Sequence, residues 1–314
     1  MASVGILFPG QGSQTVGMGA DLFESRPDLL GDRADQILGF SLRTMCLEGP
    51  EEELTRTEHA QPALFALSYA LWDVVESEAG VRPGGAAGHS LGEYTALTAA
   101  GVFAFEAALG LVALRGRTMA HAADGAESGM AALLGADREA AEEVCRARRE
   151  EGGSLWVANV NAPGQMVVAG SREDLDWLVE HAPEIGFRRV IPLNVAGAFH
   201  SPFMAPARAE LATALAAMEI SEPGFPVWSN TTARPHGSGE LEELLARQLV
   251  EPVLFADSLK DMAAAGVDTF IHIGPGDVTA GLARKSVEGA EVHRISGVAD
   301  IRPVLDAVGT MERH

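Results

Sequence analysis

Ser90 stands between two glycines in Gly88-His-Ser-Leu-Gly92, and a hydroxyl in that setting can serve as a nucleophile. Flanking glycines allow a strained strand-to-helix turn that leaves the hydroxyl exposed at a helix N-terminus. The same residue could be a plain helix N-cap, since matches this short also arise by chance. A serine that attacks an ester or thioester needs a base. His200, in Ala-Phe-His-Ser-Pro, is a candidate, although it is one of nine histidines and any of them could be an ordinary surface or core residue.

Acyl chemistry at Ser90 would also need donors for a developing oxyanion. The N–H of Leu91, next after the serine, is one natural donor. A second could come from the loop Gly10-Gln11-Gly12, because glycines let the backbone approach a reacting carbonyl closely; a simple strand-to-helix turn explains those glycines equally well. Arg115 and Arg117 sit in Val112-Ala-Leu-Arg-Gly-Arg-Thr-Met119, which reads as the end of an apolar helix. An arginine that enters a core needs an anion, because an unpaired buried charge costs several kcal/mol. A substrate carboxylate would match its two-pronged geometry, and an internal salt bridge or a solvated helix end remains the alternative.

The elements that would position these groups can be read from periodicity. Val4–Phe8 is a short apolar run closed by Pro9-Gly10-Gln11-Gly12, the pattern of a buried strand ending in a tight loop. Leu64, Leu67, Leu71, Val74 and Val75 recur at helical spacing, predicting a core helix over Gln61–Glu78. Val81–Gly88 is predicted as the strand before Ser90, with Glu93–Ala100 as the helix after it. Near Gly125–Gly129 the character changes. Strand Met130–Leu134, helix Arg138–Glu150, strands Leu155–Val160 and Gln165–Ala169, helix Glu173–His181 and strand Phe187–Leu193 follow in the order βαββαβ. That order is ferredoxin-like. Strands Pro226–Ser229, Thr269–Ile273 and Val292–Ile295 then alternate with helices Ser238–Leu249, Ala256–Ala264 and Ile301–Val308. The expected fold class is α/β: a parallel-sheet, α/β-hydrolase-like body, residues 1–124 and 198–314, surrounding a ferredoxin-like insert at 125–197.

Composition narrows the function classes. With 47% hydrophobic and 21% charged residues the chain is globular in type. The longest apolar runs fall short of a membrane span, and the N-terminus lacks the basic head of a secretory signal, so a cytoplasmic location is expected. Cys46 and Cys145 form no metal-binding or disulfide pattern and read as buried small hydrophobes. A formal charge of -21 argues against a nucleic-acid partner, its plainest meaning being solubility.

Together these segments resemble the malonyl-CoA:acyl carrier protein transacylase family, including the stand-alone acyltransferases of polyketide synthesis. The resemblance runs through Phe8-Pro-Gly-Gln-Gly-Ser-Gln14, Gly88-His-Ser-Leu-Gly-Glu-Tyr94, Arg115-Gly-Arg-Thr-Met119, Asn159-Val-Asn-Ala-Pro-Gly-Gln165, Phe199-His-Ser-Pro-Phe-Met204, Gln248-Leu-Val-Glu-Pro-Val253 and Ile273-Gly-Pro-Gly276. It implies that Ser90 is the acylated nucleophile, that His200 is its base, and that the N–H groups of Gln11 and Leu91 form the oxyanion hole. Gln248 then takes the position whose carbonyl orients the imidazole, and Arg115 grips the malonyl carboxylate, with Phe199, Met119 and Asn161 also lining the substrate site. No bound cofactor or metal is implied, since acyl-CoA and the phosphopantetheine of an acyl carrier protein are substrates. The protein would act as a monomer.

Leu91 and Phe199 are similar to malonyl-selective members, whereas Gly197-Ala-Phe-His200 departs from the fatty-acid pattern towards polyketide acyltransferases. Carrier proteins are acidic, so a chain this acidic must meet them through a local basic patch, which a Debye length of about 8 Å permits. Arg146, Arg148, Arg149, Arg188, Arg189, Arg284 and Lys285 are the candidates, ordinary solvated charges being the alternative. Three other functions are compatible with a reactive serine: a hydrolase editing carrier-bound acyl groups, a transferase using a carrier-bound donor, and a silent docking subunit. Arg115 speaks against the hydrolase and retention of both Ser90 and His200 against the docking subunit.

Overall fold

A computed structural model describes residues 3–79, 83–237 and 239–311. Among the described residues, the strands are β1 (Ser3–Phe8), β2 (Gly85–Gly88), β3 (Ser128–Leu134), β4 (Leu155–Ala162), β5 (Gln165–Ser171), β6 (Arg189–Pro192), β7 (Val227–Trp228), β8 (Val267–Ile273) and β9 (Glu291–Ile295). They form two sheets. One is parallel, in the order β7-β2-β1-β8-β9, and the other antiparallel, in the order β4-β5-β3-β6.

The parallel sheet is covered by helices on its faces, which is why β1 reads as an unbroken apolar run: Val4, Ile6, Leu7 and Phe8 are all buried. Phe8 pairs with Gly88, so β1 and β2 end level and deliver Pro9–Gly12 and Gly88–Gly92 side by side. Ligands of open parallel sheets bind beyond these carboxyl ends. The strand predicted from Val81 begins only at Gly85, Val81 and Arg82 lying outside the described residues. Gly85-Ala-Ala-Gly88 has little β-propensity of its own. Tertiary packing selects it, since a Cβ on Gly85 would strike the Trp228 ring and one on Gly88 would strike the Gly92 backbone.

The predicted core helix spans Thr57–Ala79, with Leu64, Phe65, Leu67, Leu71 and Trp72 buried. Its neighbour runs Phe105–Asp124, well past Arg117, so Arg115 sits inside the helix on its buried face and not at its end. Gly116 makes this possible: a side chain there would press on the backbone of Thr57 and Glu58. The predicted helix Ser238–Leu249 is shorter, Leu241–Arg247 with Gln248 as its C-cap, and Ser238 lies outside the described residues.

The antiparallel sheet has the strand order and βαββαβ sequence of a ferredoxin-like fold. Its helices Arg138–Glu150 and Arg172–His181 start where Asp137 and Ser171 accept hydrogen bonds from Ala140 and Asp174 N–H groups. Its last strand is Arg189–Pro192, shorter than the predicted Phe187–Leu193, and Phe187 packs in the core instead. Two backbone hydrogen bonds tie β4 of the antiparallel sheet to the body: Val160 N–H to Val253 O and Val253 N–H to Ala158 O, both 2.9 Å. Val253 lies just beyond Gln248, so this clamp sets the insert against the edge that carries the candidate site. No helix among the described residues is long and apolar enough to cross a membrane.

Candidate active site

Ser90 occupies the turn between β2 and the helix Leu91–Ala99 with φ 52° and ψ -103°. A non-glycine residue there is strained and persists only when its surroundings hold it. Asn230 does so. Its Oδ1 accepts from Ser90 N–H at 2.7 Å and its Nδ2 donates to Gly88 O at 2.7 Å, stapling both ends of the turn. The hydroxyl makes no capping bond to its helix, which removes the N-cap alternative. It lies 2.9 Å from His200 Nε2.

His200 is also held at positive φ, 57°. Ser201 fixes the turn by donating to Ala198 O at 2.6 Å. The ring Nδ1 is 2.7 Å from the backbone carbonyl of Gln248, and a carbonyl can only accept. Nδ1 therefore carries the proton and Nε2 presents its lone pair to Ser90, the tautomer a general base needs. Burial, and secondarily the charge of Arg115, holds the His200 pKa down to about 3 against the partial support of the Gln248 carbonyl. The imidazole is thus neutral at physiological pH and costly to charge until a substrate brings negative charge beside it.

Arg115 is fully buried, with its guanidinium 5.2 Å from the centre of the Tyr94 ring. Nη1 donates to Gln61 Oε1 at 2.7 Å, and Nη2 donates to Gln248 Oε1 at 2.9 Å and Ser90 Oγ at 3.0 Å. All these partners are neutral oxygens, so neither the internal salt bridge nor the solvated helix end holds. Nε is buried without a hydrogen-bond partner. Burial lowers the Arg115 pKa, offset by Tyr94 and Glu93, and a guanidinium remains charged under such a shift.

These residues open onto one cleft of about 210 Å³ between the two sheets, lined by Gln11, Ser90, Leu91, Arg115, Phe199 and His200 among others. Leu91 begins its helix, so its N–H has no acceptor within the helix and is free for an oxyanion. Gln11 sits in the turn three residues past the end of β1, its side chain tethered to Thr57 Oγ1 at 3.2 Å. Met119 and Asn161 are in the same cleft, Asn161 Oδ1 standing 2.7 Å from His89 Nε2. Gln248 contributes from behind through both its carbonyl and its side chain.

The candidate carrier contacts lie elsewhere and differ among themselves. Arg146 is paired with Glu143 and Glu150, and Arg148 with Asp174 and Glu151. Arg149 donates to Leu155 O, Arg284 to Val292 O and Lys285 to Gln165 Oε1. Arg188 and Arg189 are exposed at the start of β6.

Sequence reasoning missed Gln61, Asn230, Glu93, His89 and the insert's contribution of Met130, Val167 and Leu193 to the cleft. Glu93 and His89 stood inside a quoted motif. Gln61 was readable as a polar residue on an apolar helical face. Asn230 had no such signal, because its role depends on β7 ending beside β2.

The profile of the acyl transferase domain family matches residues 6–313. The malonyl CoA-acyl carrier protein transacylase of Bacillus subtilis is 44% identical over 288 residues, covering 91% of this chain and 90% of that protein. The polyketide biosynthesis malonyl CoA-acyl carrier protein transacylase PksC of the same organism is 41% identical over 304 residues, 95% of this chain and 98% of its own. An acyl carrier protein S-malonyltransferase of Vibrio cholerae superposes with a TM-score of 0.90 at 38% identity, covering 98% of this chain and 100% of that one. The malonyl-transacylase solved in complex with its type II polyketide acyl carrier protein superposes with a TM-score of 0.92 at 35% identity, with coverage of 98% and 100%.

Proposed function

The chain belongs to the acyl transferase domain family, and from that premise we propose that it moves a malonyl-type acyl group from coenzyme A to the phosphopantetheine thiol of an acyl carrier protein, in fatty-acid or polyketide synthesis. Residues 125–197 are the inserted unit in this reading, and 1–124 with 198–314 the catalytic body. One observation carries it: Ser90 Oγ lies within hydrogen-bond distance of both His200 Nε2 and Arg115 Nη2.

The reaction runs in two halves. Ser90 Oγ attacks the thioester carbonyl while His200 Nε2 takes its proton. The N–H groups of Gln11 and Leu91 stabilise the oxyanion, and the imidazolium returns the proton to the departing CoA sulfur. The carrier thiol then gives its proton to His200 and attacks the Ser90 ester, and serine leaves reprotonated. Gln248 replaces the acid of a Ser-His-Asp triad: its carbonyl fixes the tautomer without adding a carboxylate, though it stabilises the imidazolium less. Arg115 holds the acyl carboxylate and keeps the chain placed for the thiol over water. No redox or metal step is required, and CoA and phosphopantetheine enter as substrates.

Arg188 and Arg189 are the stronger carrier contacts, because their charges are exposed while Arg146 and Arg148 are engaged with the chain's own acids. Intact-protein mass spectrometry after malonyl-CoA exposure tests the reading. A malonyl adduct that is absent from Ser90→Ala and discharged by a phosphopantetheinylated carrier protein supports it. Rapid release of free malonate with no carrier requirement overturns it in favour of a hydrolase.

A further inference from the structure

Behind the cleft lies a buried polar chain that the reaction scheme does not use. Glu93 is fully buried, and its carboxylate accepts three hydrogen bonds: from His236 Nε2 at 2.7 Å, Gln248 Nε2 at 2.6 Å and Asn230 N–H at 3.2 Å. The Gln248 amide faces two ways. Its Nε2 donates to Glu93 and to Ser90 O, and its Oε1 accepts from Arg115 Nη2. Arg115 and Glu93 are therefore opposite charges joined through one neutral amide, and Glu93 is among the groups that favour the charged form of Arg115.

This arrangement resolves a conflict built into any buried carboxylate receptor. An arginine with no counter-charge is expensive to bury. An arginine in direct contact with a carboxylate is already satisfied, and a substrate carboxylate would have to displace that partner. Placing the acid one amide away supplies the opposing charge and leaves the guanidinium, which lines the cleft and is bonded only to neutral oxygens, available to a ligand carboxylate. The amide is itself fixed at both ends, so the guanidinium cannot swing back to reach the acid. His236, whose side chain is 1% exposed, holds Glu93 from the far side.

We propose that Glu93 is a positioning residue for acyl selectivity: through the Gln248 amide it acts as the withheld counter-charge of Arg115, keeping the guanidinium oriented and open to the carboxylate of a dicarboxylic acyl unit. This rests on the reading that Arg115 receives that carboxylate. It assigns Glu93 no contact with the substrate, and its effect falls on the choice between acyl units with and without a free carboxylate.

The test is kcat/KM for malonyl-CoA and for acetyl-CoA at saturating carrier protein, expressed as a ratio. Glu93→Gln keeps the shape but leaves one acceptor oxygen for three donors, so the Gln248 amide loses its anchor, Arg115 loses its fixed orientation, and the malonyl-to-acetyl ratio falls by about tenfold. Glu93→Asp restores part of the ratio. A second variant, Glu93→Gln with Gln248→Glu, keeps the buried charge but brings it into direct contact with Arg115. The ratio then falls further than in Glu93→Gln, because the arginine is already occupied. Equal losses for both substrates in Glu93→Gln would mark a merely structural role and overturn the proposal, as would a double variant that loads malonyl like the parent. Arg115→Ala separates the two layers. If it leaves the ratio unchanged, the carboxylate-binding reading itself fails; if it collapses the ratio while Glu93→Gln does not, only the counter-charge proposal fails.

Discussion

The two walls of the cleft are built on different principles. On the parallel-sheet side every reacting group is fixed by buried hydrogen bonds: Ser90 through Asn230, His200 through the Gln248 carbonyl, Arg115 through Gln61 and Gln248. On the insert side the lining is Met130, Val167 and Leu193 with the amides of Asn159, Asn161 and Asn194. The first wall does chemistry and must hold atoms to fractions of an ångström, which directional bonds between strand ends and helix ends achieve. The second wall provides shape and can change by a methylene without disturbing the reacting atoms.

The largest effect expected of any substitution on the first wall is that of Ser90→Ala or His200→Ala, a fall in carrier loading of about a thousandfold or more, read by single-turnover transfer. Asn230→Ala should come next. It removes two buried bonds from a strained turn, so stability drops by about 2–4 kcal/mol in denaturant titration and transfer by about a hundredfold. Near-normal transfer in that variant would mean that the turn holds itself, and the proposed contrast between the walls would weaken.

Acid should act on the same wall. Burial chiefly holds His200 down to about 3 and His272 down to about 4, from an ordinary 6.5. Below about 6.5 the unfolded chain takes up protons that the folded chain refuses, so stability falls with pH by up to about 1.4 kcal/mol per histidine per unit, the loss ending near each folded value. Denaturation midpoints at pH 7 and pH 5 measure this, and His272→Gln should flatten the difference. Activity should stay level while the protein remains folded. A titration of kcat/KM near 6.5 would show that His200 is not as sequestered as its contacts imply.

Changes on the insert wall should be milder and different in kind. Val167→Ala or Met130→Ala should improve loading of α-branched acyl units over malonyl by about tenfold, near the low end of the roughly 1–3 kcal/mol that one methyl is worth in a fitted pocket. Losing all acyl units equally would erase the distinction between the walls. Smallest of all, Arg188→Glu with Arg189→Glu should raise the KM for carrier protein several-fold, by about 1 kcal/mol, while leaving that for malonyl-CoA alone. Reversal at Arg146, already paired with Glu143 and Glu150, should do less.

Local pattern was strongest in the insert. Helix Arg138–Glu150 matched residue for residue because an aspartate cap, a charged outer face and a clean end all lie within the segment. Strand β2 and helix Phe105–Asp124 were misjudged at their ends. The first is made of glycine and alanine that only a neighbouring ring selects, and the second continues past two arginines because one of them turns inward against Gln61.

What the sequence determined alone was the set of reactive groups and their order along the chain, because motifs such as Gly88-His-Ser-Leu-Gly92 and Phe199-His-Ser-Pro-Phe-Met204 carry their own turn chemistry. Tertiary structure alone decided which neutral oxygens receive the buried arginine, and that Asn230, Glu93 and Gln248 form one network. Several of the site's contacts join residues more than a hundred positions apart, such as Ser90 with His200 and Asn230, and Gln248 with Arg115 and Glu93. Only the level ends of β1 and β2, and the clamp of β4 on Val253, bring them within hydrogen-bond reach, and no local periodicity records a distance of that kind.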